Sequence, residues 1–143
     1  MKNFTMRLTF AVATLAAAAL SASAQTYKAD VPMAFSAGGK RMPAGTYDFV
    51  VRTGATAHSV VTVRNEASSQ AAVIMALPGS DAPKAWRQAG KPLVSFECAG
   101  HSCNLRKLWD ARSLPMFEFP AHKLPAVEAE RVSIVIVGLV KSE

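Results

Sequence analysis

Residues 93–109 read LVSFECAGHSCNLRKLW, and this stretch decides the fold. Two runs rich in β-branched, aromatic and leucine residues flank Ala99-Gly100-His101-Ser102, a turn-forming sequence. Placing Cys98 opposite Cys103 sets Phe96 against Leu105 and Val94 against Lys107 on one face. Glu97 then opposes Asn104, and Ser95 opposes Arg106, on the other face. That register gives a mostly apolar inner face and a polar outer one, as a half-buried hairpin requires. In an oxidising compartment an isolated pair of cysteines reads as a disulfide, here a staple for one hairpin.

The same period of two recurs on both sides of the hairpin. Val31, Met33 and Phe35 alternate with Pro32, Ala34 and Ser36. Gly38-Gly39-Lys40 and Met42-Pro43-Ala44-Gly45 are turns. Tyr47, Phe49 and Val51 then point one way, and Thr46, Asp48 and Arg52 the other. Residues 60–64 and 71–77 read as two more strands, the second with Val73, Met75 and Leu77 on one face. Met33 and Met75 are expected to fill the core, the ordinary use of methionine in an alternating strand.

Residues 80–90 are polar and broken by Pro83, which predicts a loop. Trp86 within it is read as folding back over one end of the domain, against the alternative of an exposed aromatic for ligand contact. Trp109 ends a strand and is expected in the core. Pro115, Pro120 and Pro125 forbid a long helix over 110–130, but a short one is expected near residues 126–131, with Pro125 in its first turn. Residues 132–140, VSIVIVGLV, are apolar on both faces, which predicts a central, covered strand. About seven or eight short strands separated by turns make an all-β fold, a small antiparallel barrel or sandwich.

The first 24 residues predict a compartment. Lys2 and Arg7 precede an apolar run over 8–20, and Ala22-Ser23-Ala24 closes it. This pattern reads as a secretory signal peptide over 1–24, cleaved before Gln25, and the run is too short and alanine-rich for a membrane span. A single secreted or periplasmic domain, residues 25–143, is expected after cleavage, long enough for a hydrophobic core. The full chain carries +6, of which Lys2 and Arg7 supply two charges, so +4 would remain. The basic residues are scattered, with Lys40-Arg41 and Arg106-Lys107 the only adjacent pairs. Such scatter argues against nucleic acid, whose binders gather charge on one face, and suits a solvated surface.

Few residues suggest chemistry. Cys98, His101 and Cys103 form C-x-x-H-x-C, a weak candidate for zinc or copper whose only local fourth ligand is Glu97. A redox pair is a further alternative, although the spacing is neither the C-x-x-C of thiol oxidoreductases nor the C-x-x-C-H of haem attachment. His58 and His122 lie far away in sequence. There is no G-x-S-x-G, and Lys40 is followed by Arg41 where a phosphate loop needs Ser or Thr. The sequence therefore assigns no catalytic residue and no cofactor, and the expectation is a non-enzymatic domain. Two binding readings follow. Phe35, Tyr47, Phe49, Phe96 and Trp109 could line a pocket for a small apolar ligand inside a barrel, or simply fill the core. Alternatively, residues 132–140 could pair with an envelope protein if that strand lies at an edge.

Val31-Pro32-Met33-Ala34-Phe35, Gly38 to Lys40 and Met42-Pro43-Ala44-Gly45-Thr46-Tyr47 carry a resemblance. The chain resembles an uncharacterised family of small secreted bacterial β-proteins with a V-P-F-x-F segment, a G-x-x-x-x-P-A-G-x-Y turn and a later strand pair ending in Trp. The match is good over residues 29–50 and weaker over 92–109. Met33 stands where an aromatic is usual, and the cysteine pair is a local departure. The resemblance implies secretion and a β fold, and no activity. In the P-A-G-x-Y turn, Pro43 sets φ, Gly45 permits a positive φ and Tyr47 starts the strand.

Overall fold

The computed structural model describes residues 24–54, 58–120 and 132–142. The expected signal peptide up to residue 23, the expected helix near 126–131 and His122 lie outside the described residues. The described chain is all-β with one short helix. Its elements are β1 (Ala24–Val31), β2 (Phe35–Ala37), β3 (Lys40–Met42), β4 (Gly45–Thr53), β5 (Ser59–Asn65), β6 (Ala71–Asp81), α1 (Lys84–Ala89), β7 (Leu93–Ala99), β8 (Ser102–Trp109), β9 (Pro115–Glu118), β10 (Val132–Gly138) and β11 (Val140–Ser142).

The strands form one open sheet in the order β10-β7-β8-β9-β6-β5-β4-β1-β11, with the small β2–β3 hairpin attached to β8 through Ser36 and Asn104. Every other pairing is antiparallel, and those of consecutive strands such as β4–β5, β5–β6 and β7–β8 are joined by short connections. Two strands turn corners. β6 pairs with β5 through Ala71–Ala76 and with β9 from Leu77 onward, shifting register between Pro78 and Asp81. The C-terminal strand does the same: β10 lies on β7, and after Leu139 the chain continues as β11 on β1. Strands that change partners at a bulge are how a sheet folds over on itself to enclose a core. The path thus begins and ends on neighbouring pieces of one segment, without closing into a continuous ladder.

Alternation places the core. Tyr27, Ala29 and Val31 of β1, Tyr47, Phe49 and Val51 of β4, and Val61 and Val63 of β5 are all buried. Phe96 and Val94 of β7 meet Leu105 and Leu108 of β8 in the same cluster. Burial of side chains of this size contributes about 1.5–3 kcal/mol each and holds the two halves together. A second, smaller cluster joins Trp86 of α1 to Ala82, Leu93, Trp109 and Met116.

Several expectations need correction. The strands number eleven among the described residues, because the C-terminal run divides into β10 and β11, and because short pieces such as β2, β3 and β9 pair separately. The run over 31–36 breaks after Val31 and resumes at Phe35. Residues 84–89 are a helix instead of loop. Pro83 precedes it, its carbonyl accepting from the N–H groups of Trp86 and Arg87 at 3.0 and 3.1 Å. Gly90, at φ 65°, ends it in the left-handed conformation that glycine adopts freely. Met75 points outward and is 59% exposed. Met33 does pack, partly buried, against the core. Finally, the strand over 132–138 is not central: it begins the sheet path, and Val132, Ile134 and Ile136 are exposed while Val135 and Val137 pack inward. Apolar residues on both faces imply cover on both faces only when tertiary context supplies it.

Candidate functional site

The β7–β8 hairpin positions most of the residues singled out by sequence. Cys98 faces Cys103, Glu97 faces Asn104 and Phe96 faces Leu105, as the alternation predicts. The two cysteines form a disulfide with Cα atoms 4.0 Å apart, both side chains in the core. Gly100 at φ 60° takes the first central position of the turn, the place where a type II′ hairpin needs glycine. His101 sits exposed at the tip. The bridge occupies both sulfurs, so neither is a thiolate ligand while it is intact. Among the described residues, no group of three His, Cys, Asp or Glu side chains is gathered as a metal site. His58, also exposed, is remote from the hairpin tip in the sheet order, on the β4–β5 side.

Beyond Phe96 the register changes. Ser95 faces Lys107, Val94 faces Leu108 and Leu93 faces Trp109, leaving Arg106 as an extra residue. This corrects the expected pairs Val94–Lys107 and Ser95–Arg106. The bulge keeps Lys107 out of the core and puts Leu108, fully buried, in its place. Arg106 is fixed from three sides. Its Nε donates to Glu97 Oε2 at 3.1 Å, its Nη1 donates to the Phe119 carbonyl at 2.6 Å, and its own carbonyl accepts from the Phe119 N–H at 2.8 Å.

The five aromatics proposed as a pocket do not stay together. Phe35, Tyr47, Phe49 and Phe96 share the main core, and Trp109 belongs to the second cluster under α1. Phe35 packs edge-on against Tyr47 and against Phe96, each with ring centroids 5.0 Å apart. Such edge-to-face contacts fill space with ring atoms. Trp109 donates from Nε1 to the Ser113 carbonyl at 2.7 Å. Trp86, only 7% exposed, folds back over Leu93 and Trp109.

The P-A-G-x-Y turn is explained by packing. The Tyr47 hydroxyl donates to the Pro43 carbonyl, closing the turn on itself. A side chain at Gly45 would press on Asn65, because a β-carbon there would lie 3.2 Å from the Asn65 amide nitrogen. Buried Asn65 accepts from the Ala67 and Ser68 N–H groups at 2.9 Å each, so this motif locks two turns together.

What remains open lies on the outside of the sheet. Register puts Ile136, Ser95 and Lys107 in one outward row, and Ile134, Glu97 and Asn104 in the next. Pro83, just before α1, and Trp86 within it line a groove of about 270 Å³ together with Ser95, Lys107, Ile134 and Ile136. A second cleft, of about 470 Å³, lies where β1 and the C-terminal strand diverge, between Ala29 and Asp30 on one side and Val137 and Gly138 on the other, with Lys28 and Lys141 at its rim. Sequence reasoning missed both, because each depends on where strands distant in sequence end up. The outward apolar residues of 132–138 were the one visible signal. Comparison with protein-family models, with curated proteins and with solved structures found no match.

Proposed function

We propose that this chain is a non-enzymatic, extracytoplasmic interaction module that receives an extended segment of another envelope protein along β10. One observation carries the reading: β10 lies at the end of the sheet path with Val132, Ile134 and Ile136 exposed. Its sequence, VSIVIVG, contains no charge and no proline, the usual protections of an edge strand. An incoming strand would gain main-chain hydrogen bonds from the edge, and its own apolar side chains would cover the outward row. The basic balance of the chain favours a partner segment flanked by acidic residues. The signal-peptide pattern, the cysteine pair and the resemblance to small secreted bacterial β-proteins support the extracytoplasmic part of this reading.

Hydrogen exchange on the exported, purified domain tests this reading. Amides of β10 directed at β7 should be protected, and those directed away should exchange as freely as at any open edge. A monodisperse monomer in which every β10 amide is protected would mean the strand is already covered.

A further inference from the structure

The groove between α1 and the outer face of β7, β8 and β10 has the makings of a small-molecule site. Its volume of about 270 Å³ lies at the lower end of ligand pockets. Its apolar lining comes from Pro83 and the 7%-exposed edge of Trp86, together with the more exposed Ile134 and Ile136. A slot lined by an indole edge and two branched aliphatic side chains suits a flat apolar body.

Two polar features point into it. Ser95 lines the groove and is only 3% exposed, yet its hydroxyl finds no hydrogen-bond partner among the described residues. A buried hydroxyl left without a partner costs free energy that a ligand atom can recover. Lys107 stands next to Ser95 in the same outward row. Among the described residues, no carboxylate lies within ion-pair distance of its ammonium group. The other two charges of the groove, Glu97 and Arg106, neutralise each other at 3.1 Å. Among the described residues, the site therefore offers one ammonium group outside any ion pair, with Glu118 its cross-strand neighbour on β9, and one hydroxyl without a hydrogen-bond partner.

We infer that this groove binds a small aromatic carboxylate, with the ring on Trp86, Ile134 and Ile136 and the carboxylate on Lys107 and Ser95. The space accommodates roughly ten non-hydrogen atoms, which excludes a long acyl chain. Binding in the groove does not rest on β10 receiving a partner, although Ile134 and Ile136 belong to both surfaces, so a ligand in the groove and a segment covering the outward row would compete.

Phenylacetate is the probe, with uncharged phenylacetamide and aliphatic hexanoate as controls, followed by backbone amide shifts. Phenylacetate should give saturable shifts confined to Ser95, Lys107, Ile136 and their neighbours. The amide should bind about tenfold more weakly, the usual worth of one charge-assisted hydrogen bond. Lys107→Gln should abolish that difference with an unchanged melting temperature. Absence of saturable shifts with phenylacetate up to its solubility limit would overturn the site. Equal affinity for acid and amide would overturn the role of Lys107, and equal affinity for hexanoate would overturn the aromatic slot.

Discussion

Gly79 lies so close to Met116 that a β-carbon on the glycine would sit 1.9 Å from the methionine's carbonyl oxygen. The contact occurs where β6 leaves β5 and turns onto β9, the corner that folds the sheet over its core. Backbone meets backbone there, so no side chain can swing away. Gly79→Ala should destabilise the domain by about 3 kcal/mol or more, since the two strands must separate to admit one methyl group. Urea denaturation measures this directly. Gly138→Ala is the control: its β-carbon would meet nothing within 4 Å, and its loss of stability should be far smaller.

The disulfide closes a short loop, with its cysteines five positions apart in sequence. Chain-entropy reasoning gives about 2 kcal/mol for such a loop. A Cys98→Ala/Cys103→Ala variant should lose about that much and still fold, because Phe96, Leu105 and Leu108 of the same hairpin remain in the core. His101→Ala should change stability by less than about 0.5 kcal/mol, as expected for an exposed turn residue. A much larger loss at His101 in metal-containing buffer would revive the C-x-x-H-x-C reading.

How far the sequence was legible depends on whether the information was local. Alternation over Tyr47, Phe49 and Val51, and the pairing of Cys98, Glu97 and Phe96 with Cys103, Asn104 and Leu105, are properties of neighbouring residues, and both stand in the structure. The pairing beyond Phe96 fails because Arg106 is an extra residue, and its place is set by Glu97 and by the carbonyl of Phe119, thirteen positions away. Likewise, the position of 132–138 at the end of the sheet path depends on which strand lies beyond it. Period two assigns residues to two faces without saying which face is covered. The grooves were illegible for the same reason, since Trp86, Ser95, Lys107 and Ile136 meet only once three strands and a helix are assembled.

Met75 shows how the face of a strand changes chemistry. It is 59% exposed, whereas Met42 and Met116 are 0% and 3% exposed. Oxidation of methionine to the sulfoxide follows access to the sulfur. Mild peroxide should therefore convert Met75 well before Met42 or Met116, with little loss of stability, as peptide mass spectrometry of a time course would read out. Early oxidation of Met42 would mean that the β3 end of the core opens.

Burial pushes the Tyr27 and Tyr47 phenols above the ordinary value of 10.0, with Asp110 adding to the effect at Tyr27 and a hydrogen bond from Asn65 opposing it at Tyr47. The native state thus holds these protons at a pH where the unfolded chain releases them. Stability from this source is complete below about pH 10 and falls as pH rises beyond it, because the unfolded state then binds fewer protons. Urea midpoints should be flat with respect to these two groups near pH 8–9, roughly, and decline above about pH 10. Tyr47→Phe should reduce the alkaline slope while lowering stability at neutral pH through loss of the bond to Pro43.

The outward row of β10 makes the last prediction. Ile134 is 70% exposed and faces solvent beside Glu97, so replacing it removes little buried surface. Ile134→Lys should shift stability by no more than about 0.5 kcal/mol. Its effect on association should be large, because a lysine on an edge strand opposes docking by another strand. With no partner present, the wild-type edge should pair with other copies as concentration rises, and light scattering should show growing oligomers that the lysine variant does not form. If both proteins remain equally monomeric, the exposed row is not adhesive and another surface must carry any association. If the variant instead unfolds, Ile134 supports the hairpin through Glu97, and Val132→Lys, farther from the groove, becomes the deciding substitution.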